Sequence, residues 1–263
     1  MRPVGLAMLS LSALADTSAD REGPRRIRGF LISEQGLGIV CFSLEGTERW
    51  RYKCNPYDAT LLRDGTLLIA ERSAGRVLQV DPRSGKILWE KGGLEQPTDV
   101  ERLANGRTLV VENGSGRVLE LGAGGEVRRL AEGCSNPFDV CPLATGGVVV
   151  ADSGHNRLAC FDRGGRLAWE LKDLAFPNSV QAGPAGRLLY TTYTSGGAYD
   201  VDREGKVHWK CEIQGTVYSA AWDGSDYWVS DGVNGRVFRV DRRGEVRQEI
   251  RLGRPFVDCE FLR

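Results

Sequence analysis

The sequence predicts an all-β protein, a six-bladed β-propeller of four-stranded antiparallel blades, and three observations predict it. A unit of forty-odd residues recurs five times, each unit holds four short strand-like segments separated by turns, and the two chain ends carry complementary parts of a sixth.

The period is read directly. "PYDATLLRDGTLLIAERSAGRVLQVDPRSGKILWE" begins at Pro56, "PTDVERLANGRTLVVENGSGRVLELGAGGEVRRL" at Pro97, and "PFDVCPLATGGVVVADSGHNRLACFDRGGRLAWEL" at Pro137. "PNSVQAGPAGRLLYTTYTSGGAYDVDREGKVHWK" follows at Pro177 and "VYSAAWDGSDYWVSDGVNGRVFRVDRRGEVRQEI" at Val217, so the starts lie 41, 40, 40 and 40 residues apart.

Each unit follows one grammar. A short apolar strand follows the proline, and a turn such as "RDG", "ANG" or "WDG" comes next. A β-branched run then ends in an acid, and after a second turn a third strand ends near Asp; a Gly-containing turn leads to the fourth. Short strands punctuated by Gly, Asn and Asp are antiparallel hairpins. The segment Gly29 to Tyr52 carries the last three strands of a unit, and the C-terminal "RPFVDCEFLR" supplies a first strand. Joined, they complete the sixth blade, so residues 29–263 read as one propeller domain.

The N-terminus reads differently. "MRPVGLAMLSLSALADTSA" has an apolar stretch from Val4 to Ala15 ending in Ala13-Leu14-Ala15, the pattern of a signal peptide over residues 1–15. Residues 16–28, polar and basic, read as a linker. Composition narrows the partners. Lys plus Arg and Asp plus Glu are 35 each, which excludes a basic nucleic-acid surface, and no apolar run is long enough for a membrane span. Seven cysteines, with no CxxC or Cys/His metal spacing, lean mildly against export, and the leader leans towards it.

The stretch "VVVADSGHNRLACFD" places Asp152, Ser153 and His155 together, but the repeats account for all three. Asp152 aligns with Glu71, Glu112 and Asp231, and with Glu34 in the partial unit, while Ser153 and His155 fall in a turn shared by every unit. Side chains along one tight turn are expected to diverge, and a catalytic trio is brought together through a fold. The acid stands five residues before an Arg in four units (Glu71 and Arg76, Glu112 and Arg117, Asp152 and Arg157, Asp231 and Arg236), which faces the pair across the hairpin.

The third unit, with its Pro, Gly turn, "VADS", "NR" and strand ending in Asp, closely resembles the NHL repeat, and "SDGVNGRVFRVDRRG" is similar. The fourth strands in "DPRSGKILW", "DREGKVHW", "DRGGRLAW" and "LEGTERW" resemble the Gly-x-x-x-Trp docking motif of quinoprotein-type (PQQ-like) propellers. Both resemblances imply a propeller and leave its activity open. Trp50, Trp89, Trp169 and Trp209 share one position and are expected to pack between neighbouring sheets; Arg129 and Gln248 replace them elsewhere. No quinone is expected, because the enzymes that hold it use a larger ring.

Chemistry is expected where inner strands converge or the repeat breaks. Asp58, Asp99 and Asp139 open the innermost strands of three consecutive blades. Neighbouring carboxylates repel unless protonated or bridged, and oxygen-only donors suit Ca²⁺ or Mg²⁺. Six-bladed gluconolactonase-like enzymes hold a divalent cation in that general location. The other reading has each Asp capping its own loop. Ser179 and Ser219 occupy the same position further on, with Asn178 and Asp258 one residue out of register. The unit from Pro177 lacks the hairpin ion pair, having Thr192 and Gly197 there, and gains Tyr190, Tyr193 and Tyr199, which makes it a candidate docking patch. With only two histidines, His155 and His208, a zinc site at the channel is excluded. Cys41, Cys160, Cys141 and Cys259 read as buried small hydrophobes.

The function expected is that of a non-catalytic scaffold, secreted or periplasmic and monomeric, that binds a protein, peptide or glycan on one face. Metal at Asp58, Asp99 and Asp139 and ligand contact at Asn178, Tyr190, Tyr193 and Asp258 are the candidate sites. The alternative is a divalent-cation-dependent lactonase-like hydrolase or lyase acting at the channel mouth.

Overall fold

The computed structural model describes residues 26–263, and the leader and most of the linker lie outside the described residues. Six separate four-stranded antiparallel sheets form the blades. Blade 1 is the composite one: Asp258–Leu262 is innermost, followed outward by Gly29–Glu34, Gly38–Ser43 and Glu48–Tyr52. Its seam runs from Gly29 paired with Leu262 to Ser33 paired with Asp258. Blade 2 orders Asp58–Leu61, Leu67–Glu71, Arg76–Val80 and Ile87–Gly92 from inside out. Blades 3 to 6 repeat that order from Pro97, Pro137, Pro177 and Val217.

Burial follows sequence pattern strand by strand. The second strands "LLIAE", "TLVVE" and "VVVAD" are buried at every residue. Sheets covered on both faces carry continuous apolar runs in place of alternation. The outer strands instead face solvent on one side, as in "ILWEKG" and "LAWEL".

The repeated tryptophans join blade to blade. Trp209 stacks on Tyr227 of the next blade with ring centroids 3.7 Å apart, and its indole N–H donates to the Asp241 carbonyl at 2.9 Å. Trp89 packs under the Arg102 guanidinium of the following blade, 5.8 Å from its ring. Trp50 joins Leu61, Ile69 and Leu78 of blade 2 in one apolar cluster.

The hairpin acids close their turns as the spacing implies. Arg76 donates to Glu71 at 2.6 Å, Arg117 to Glu112 at 3.0 Å, Arg157 to Asp152 at 2.7 Å and Arg236 to Asp231. Each acid is buried and also accepts a backbone amide from the preceding loop, as Asp152 does from Ser135 at 2.6 Å.

The Asp152 turn departs from expectation in one respect. His155 Nδ1 lies 2.9 Å from Asp152 Oδ2, so these two side chains meet and do not diverge. A short 3-10 turn over Ser153–His155, closed by Asn156 in the left-handed region, curls the imidazole back over the acid. Ser153 is fully buried and donates away from both, to the Pro177 carbonyl. No hydroxyl faces the imidazole, and the trio does not form. In blade 5 the missing ion pair is replaced by Thr192, whose hydroxyl meets Ser195 at 2.6 Å and accepts the Gly197 amide at 3.1 Å. All seven cysteines are free thiols.

Candidate functional site at the channel mouth

The six inner strands enclose a central cavity of about 1510 Å³. Strand alternation sends every second residue of each inner strand into it. Two tiers of polar side chains follow: Asp58, Asp99, Asp139, Ser179, Ser219 and Asp258, then Thr60, Glu101, Cys141, Gln181 and Glu260 with Ala221.

Asp258 belongs fully to the first tier. It pairs with Ser33, one residue before Glu34, as Asp99 pairs with Val111 one residue before Glu112. The offset in sequence comes from one extra residue between Pro255 and the strand. Asn178 lies one position earlier; it is buried and clamps blade 6 by donating to the Val217 and Tyr218 carbonyls, both at 3.1 Å.

Asp58, Asp99 and Asp139 do not cap their own loops. Each reaches to the next blade: Asp58 Oδ2 accepts the Val100 amide at 2.9 Å, Asp99 the Val140 amide at 3.0 Å and Asp139 the Val180 amide at 2.8 Å. Gln181 and Ser219 continue the circuit by donating to the Ala220 and Cys259 carbonyls. Glu260 completes it by accepting the Leu61 amide at 2.9 Å. Every inner strand is therefore tied to its neighbour, and the circuit closes across the seam.

The remaining carboxyl oxygens crowd one another. Asp258, Asp58, Asp99 and Asp139 stand in hydrogen-bonding contact in that order. Each keeps a surface on the lumen while protein surrounds its other sides. Burial pushes Asp58 up to about 6, with the Val100 amide opposing. Burial, and then the facing carboxylates, raises Asp99 and Asp258 well above the usual range; burial also raises Asp139. Glu101 and Glu260 are both pushed up to about 8, mainly by burial. These two glutamates were not singled out from sequence, although their spacing of two from Asp99 and Asp258 marks the same face of the strand. Among the described residues, no group of three or more His, Cys, Asp or Glu side chains is arranged to hold a metal ion.

Above the acids the mouth carries an unbroken run of aromatic side chains. Ring centroids are 6.3 Å apart from Tyr57 to Phe138, 5.9 Å from Phe138 to Phe176 and 6.0 Å from Phe176 to Tyr193. They are 5.7 Å apart from Tyr193 to Tyr218, and Tyr218 in turn lies 6.5 Å from Phe256, which is buried in the core. Arg72 stands over the Tyr57 ring at 5.2 Å, held by the Gln96 and Asn113 side-chain carbonyls at 3.0 Å each. Burial raises the Tyr57 and Tyr218 phenols above their usual range, Tyr193 adding to the effect on Tyr218.

Phe176 sits at φ 56°, in the left-handed region. The corresponding residues before Pro97 and Pro137 are Gln96 and Asn136, at φ 54° and 50°. Asn tolerates that conformation, whereas a bulky aromatic there is strained by roughly 1–2 kcal/mol.

The structure divides the three tyrosines of blade 5. Tyr193 is 41% exposed at the mouth. Tyr190 is buried and stacked on Tyr199 at 5.1 Å in the packing between blades 4 and 5, away from the mouth aromatics.

A family model described as outer membrane protein assembly factor BamB, of the PQQ_2 type, matches the chain twice, over residues 27–130 and 73–246. The chain belongs to that family. The quinoprotein-like resemblance of its fourth strands is thereby borne out, and the NHL-like likeness is consistent with it. No curated protein matches the sequence. Among solved structures, virginiamycin B lyase from Staphylococcus aureus, in a complex with quinupristin, aligns at 16% identity and a TM-score of 0.65. That alignment covers 82% of this chain and 78% of the lyase. A Bacteroides caccae protein of unknown function aligns at 15% identity and a TM-score of 0.72, covering 85% of this chain and 93% of that one. A chain of a nidogen/laminin complex aligns at 14% identity and a TM-score of 0.69, with the same two coverages. At these identities the likeness establishes the propeller fold alone.

Proposed function

We propose that this member of the assembly-factor family is a non-catalytic propeller that docks a protein or peptide segment on the aromatic mouth of its central channel. The observation that carries the reading is the continuous run of five aromatic side chains lining the mouth from Tyr57 to Tyr218. Aromatic side chains give large contact area at low entropic cost and are enriched at recognition surfaces. The strained backbone at Phe176 supports it, since such strain persists where surrounding structure and function require it. The family description and the nidogen/laminin neighbour add support from related architectures. The apolar Val4–Ala15 leader supports an exported or periplasmic location; among the described residues no helix is long and apolar enough to cross a membrane.

Selection from a displayed random-peptide library tests the reading. Wild-type protein should enrich peptides that a Tyr193→Ala, Phe176→Asn double variant does not retain. Enrichment that ignores both substitutions, or preference for sugars on a glycan array over every peptide, would sink it.

Asp58 favours a second reading. A carboxyl poised near 6 in an open channel suits general acid–base work, and the fold also occurs in a lyase. The metal-assisted form of that reading, with Ca²⁺ or Mg²⁺ at Asp58, Asp99 and Asp139, gains no support from their arrangement, since among the described residues no such group is disposed to hold an ion. Turnover of a lactone or ester that disappears in Asp58→Asn would establish it in place of docking.

A further inference from the structure

We infer that the segment docking on the mouth presents a Lys or Arg side chain, which passes the aromatic collar and places its cationic head among the channel carboxyls. The inference rests on the docking reading and names the chemistry of its occupant.

Charge complementarity carries it. The lumen is lined by Asp58, Asp99, Asp139, Asp258, Glu101 and Glu260, and the cations that line it are Arg63, Arg72 and Arg263. Arg72 is at the collar, already placed over Tyr57. Arg263 ends the inner strand of blade 1 at the opposite end, where its guanidinium donates to the Trp222 carbonyl at 3.2 Å. Arg63 follows the inner strand of blade 2 at that same end. Glu260 feels the charge of Arg263 at its end, but among the described residues no ion pair joins Asp58, Asp99, Asp139, Asp258 or Glu101 to a cation. Carboxyls crowded out of water resist ionising together and hold protons, and an ammonium or guanidinium among them stabilises their ionised form, so protons leave as the cation enters.

The collar fits the same occupant. Arg72 over Tyr57 shows, within this chain, a guanidinium resting on a mouth aromatic. Phe138, Phe176, Tyr193 and Tyr218 are left to receive the stem and head of an incoming side chain, which cation–π attraction favours. Tyr57 and Phe138 immediately precede Asp58 and Asp139, so acids begin one residue below the rings, within reach of an extended Lys or Arg. An acidic side chain would oppose that ionisation, and a neutral one would give the carboxyls no counter-charge.

Calorimetry on the full chain tests this with Gly/Ser peptides that differ only at a central Arg, Lys, Gln or Glu. The Arg or Lys peptide should bind at least tenfold more tightly than the Gln peptide, the Glu peptide should not bind, and raising salt should weaken the basic peptides alone. Asp58→Asn with Asp99→Asn keeps an oxygen acceptor for the next blade's amide and should erase the preference for Arg over Gln. Glu101→Gln, whose side chain makes none of the inter-blade ties, should halve that preference or more, and it guards against misfolding of the double variant. Equal binding of Arg and Gln peptides that Tyr193→Ala abolishes would overturn the cation inference and leave docking standing. Absence of binding by any of the four, with collar-dependent apolar peptides from the library still bound, would also overturn it. Failure of the library to yield any collar-dependent peptide would remove docking itself.

Discussion

Glu260 accepts the backbone amide of Leu61 at 2.9 Å, from the C-terminal strand of blade 1 to the first strand of blade 2. The two residues are 199 positions apart in the chain, and their bond closes the circuit of side chain-to-backbone ties around the channel. The tie also buries a carboxyl, and that sets its pH dependence.

Glu260 and Glu101, both raised to about 8, bind protons in the folded chain that an unfolded chain releases near pH 4.5. Stability therefore falls as pH rises from about 4.5 towards 8. Asp241, held low by the Glu245 amide, titrates below that window and does not offset the trend. The melting temperature of the wild type should drop between pH 5 and 8, and the drop should shrink in Glu101→Gln and Glu260→Gln. Glu260→Ala, which removes the acceptor, should cost about 1–3 kcal/mol at pH 5. A melting temperature that rises over this range would contradict the account.

The Asp152 turn yields a contrast between two basic side chains on one acid. Arg157 is largely buried and bonds Asp152 at 2.7 Å, whereas His155 is 47% exposed on the same oxygen. Arg157→Ala should cost about 3 kcal/mol or more, because it strips the main counter-charge from a buried carboxylate. His155→Ala should stay within about 0.5 kcal/mol, as surface changes do. Urea unfolding of the two variants measures both, and equal losses would refute the assignment.

Trp209 is the most deeply packed of the four repeated tryptophans, stacked at 3.7 Å on Tyr227 of the next blade. Trp209→Ala should cost about 3–5 kcal/mol. A loss below about 1 kcal/mol would mean that the stacking between blades 5 and 6 contributes little to holding the propeller ring.

The thiols should be unreactive. Burial pushes Cys41, Cys54, Cys134 and Cys141 up to about 12 and Cys211 to about 11, and the thiolate is the reactive form. A thiol-specific disulfide reagent at pH 7.5 should titrate none rapidly in the native protein and seven in denaturant. A fast-reacting thiol in the folded state would point to an activated cysteine that the geometry does not show.

The architecture was legible because the blades repeat their turn chemistry: the Gly turns recur every 40 residues or so, and four of the six blades carry the buried acid with an Arg five residues on. The circuit of inter-blade ties was not, since Asp99 and Val140 meet only once two blades are placed side by side. Asp258 was hidden by the extra residue after Pro255, which shifts sequence alignment and leaves strand pairing unchanged. The aromatic collar had no sequence signature either. Tyr57 precedes an inner strand, Phe138 and Tyr218 are the second residues of theirs, Phe176 precedes a proline and Tyr193 follows a second strand, so no single repeat position marks it. Tyr190, with the same residue type in the same broken blade, turns to the inter-blade core because strand alternation sends it there.

Phe176 offers the sharpest separation of stability from recognition. Replacing it with Asn, the residue found at the equivalent left-handed position before Pro137, should relieve strain and raise the melting temperature. The same change should weaken peptide binding tenfold or more. Loss of stability in Phe176→Asn would show that the ring is there for packing.

The most direct measurement is hydrogen–deuterium exchange on the full chain, free and saturated with a library-selected peptide. Docking on the collar predicts protection confined to the loops and strand starts that carry Tyr57, Phe138, Phe176, Tyr193 and Tyr218, with the outer strands unchanged. Protection on the outer strands, with the mouth loops exchanging as in the free protein, would contradict the account.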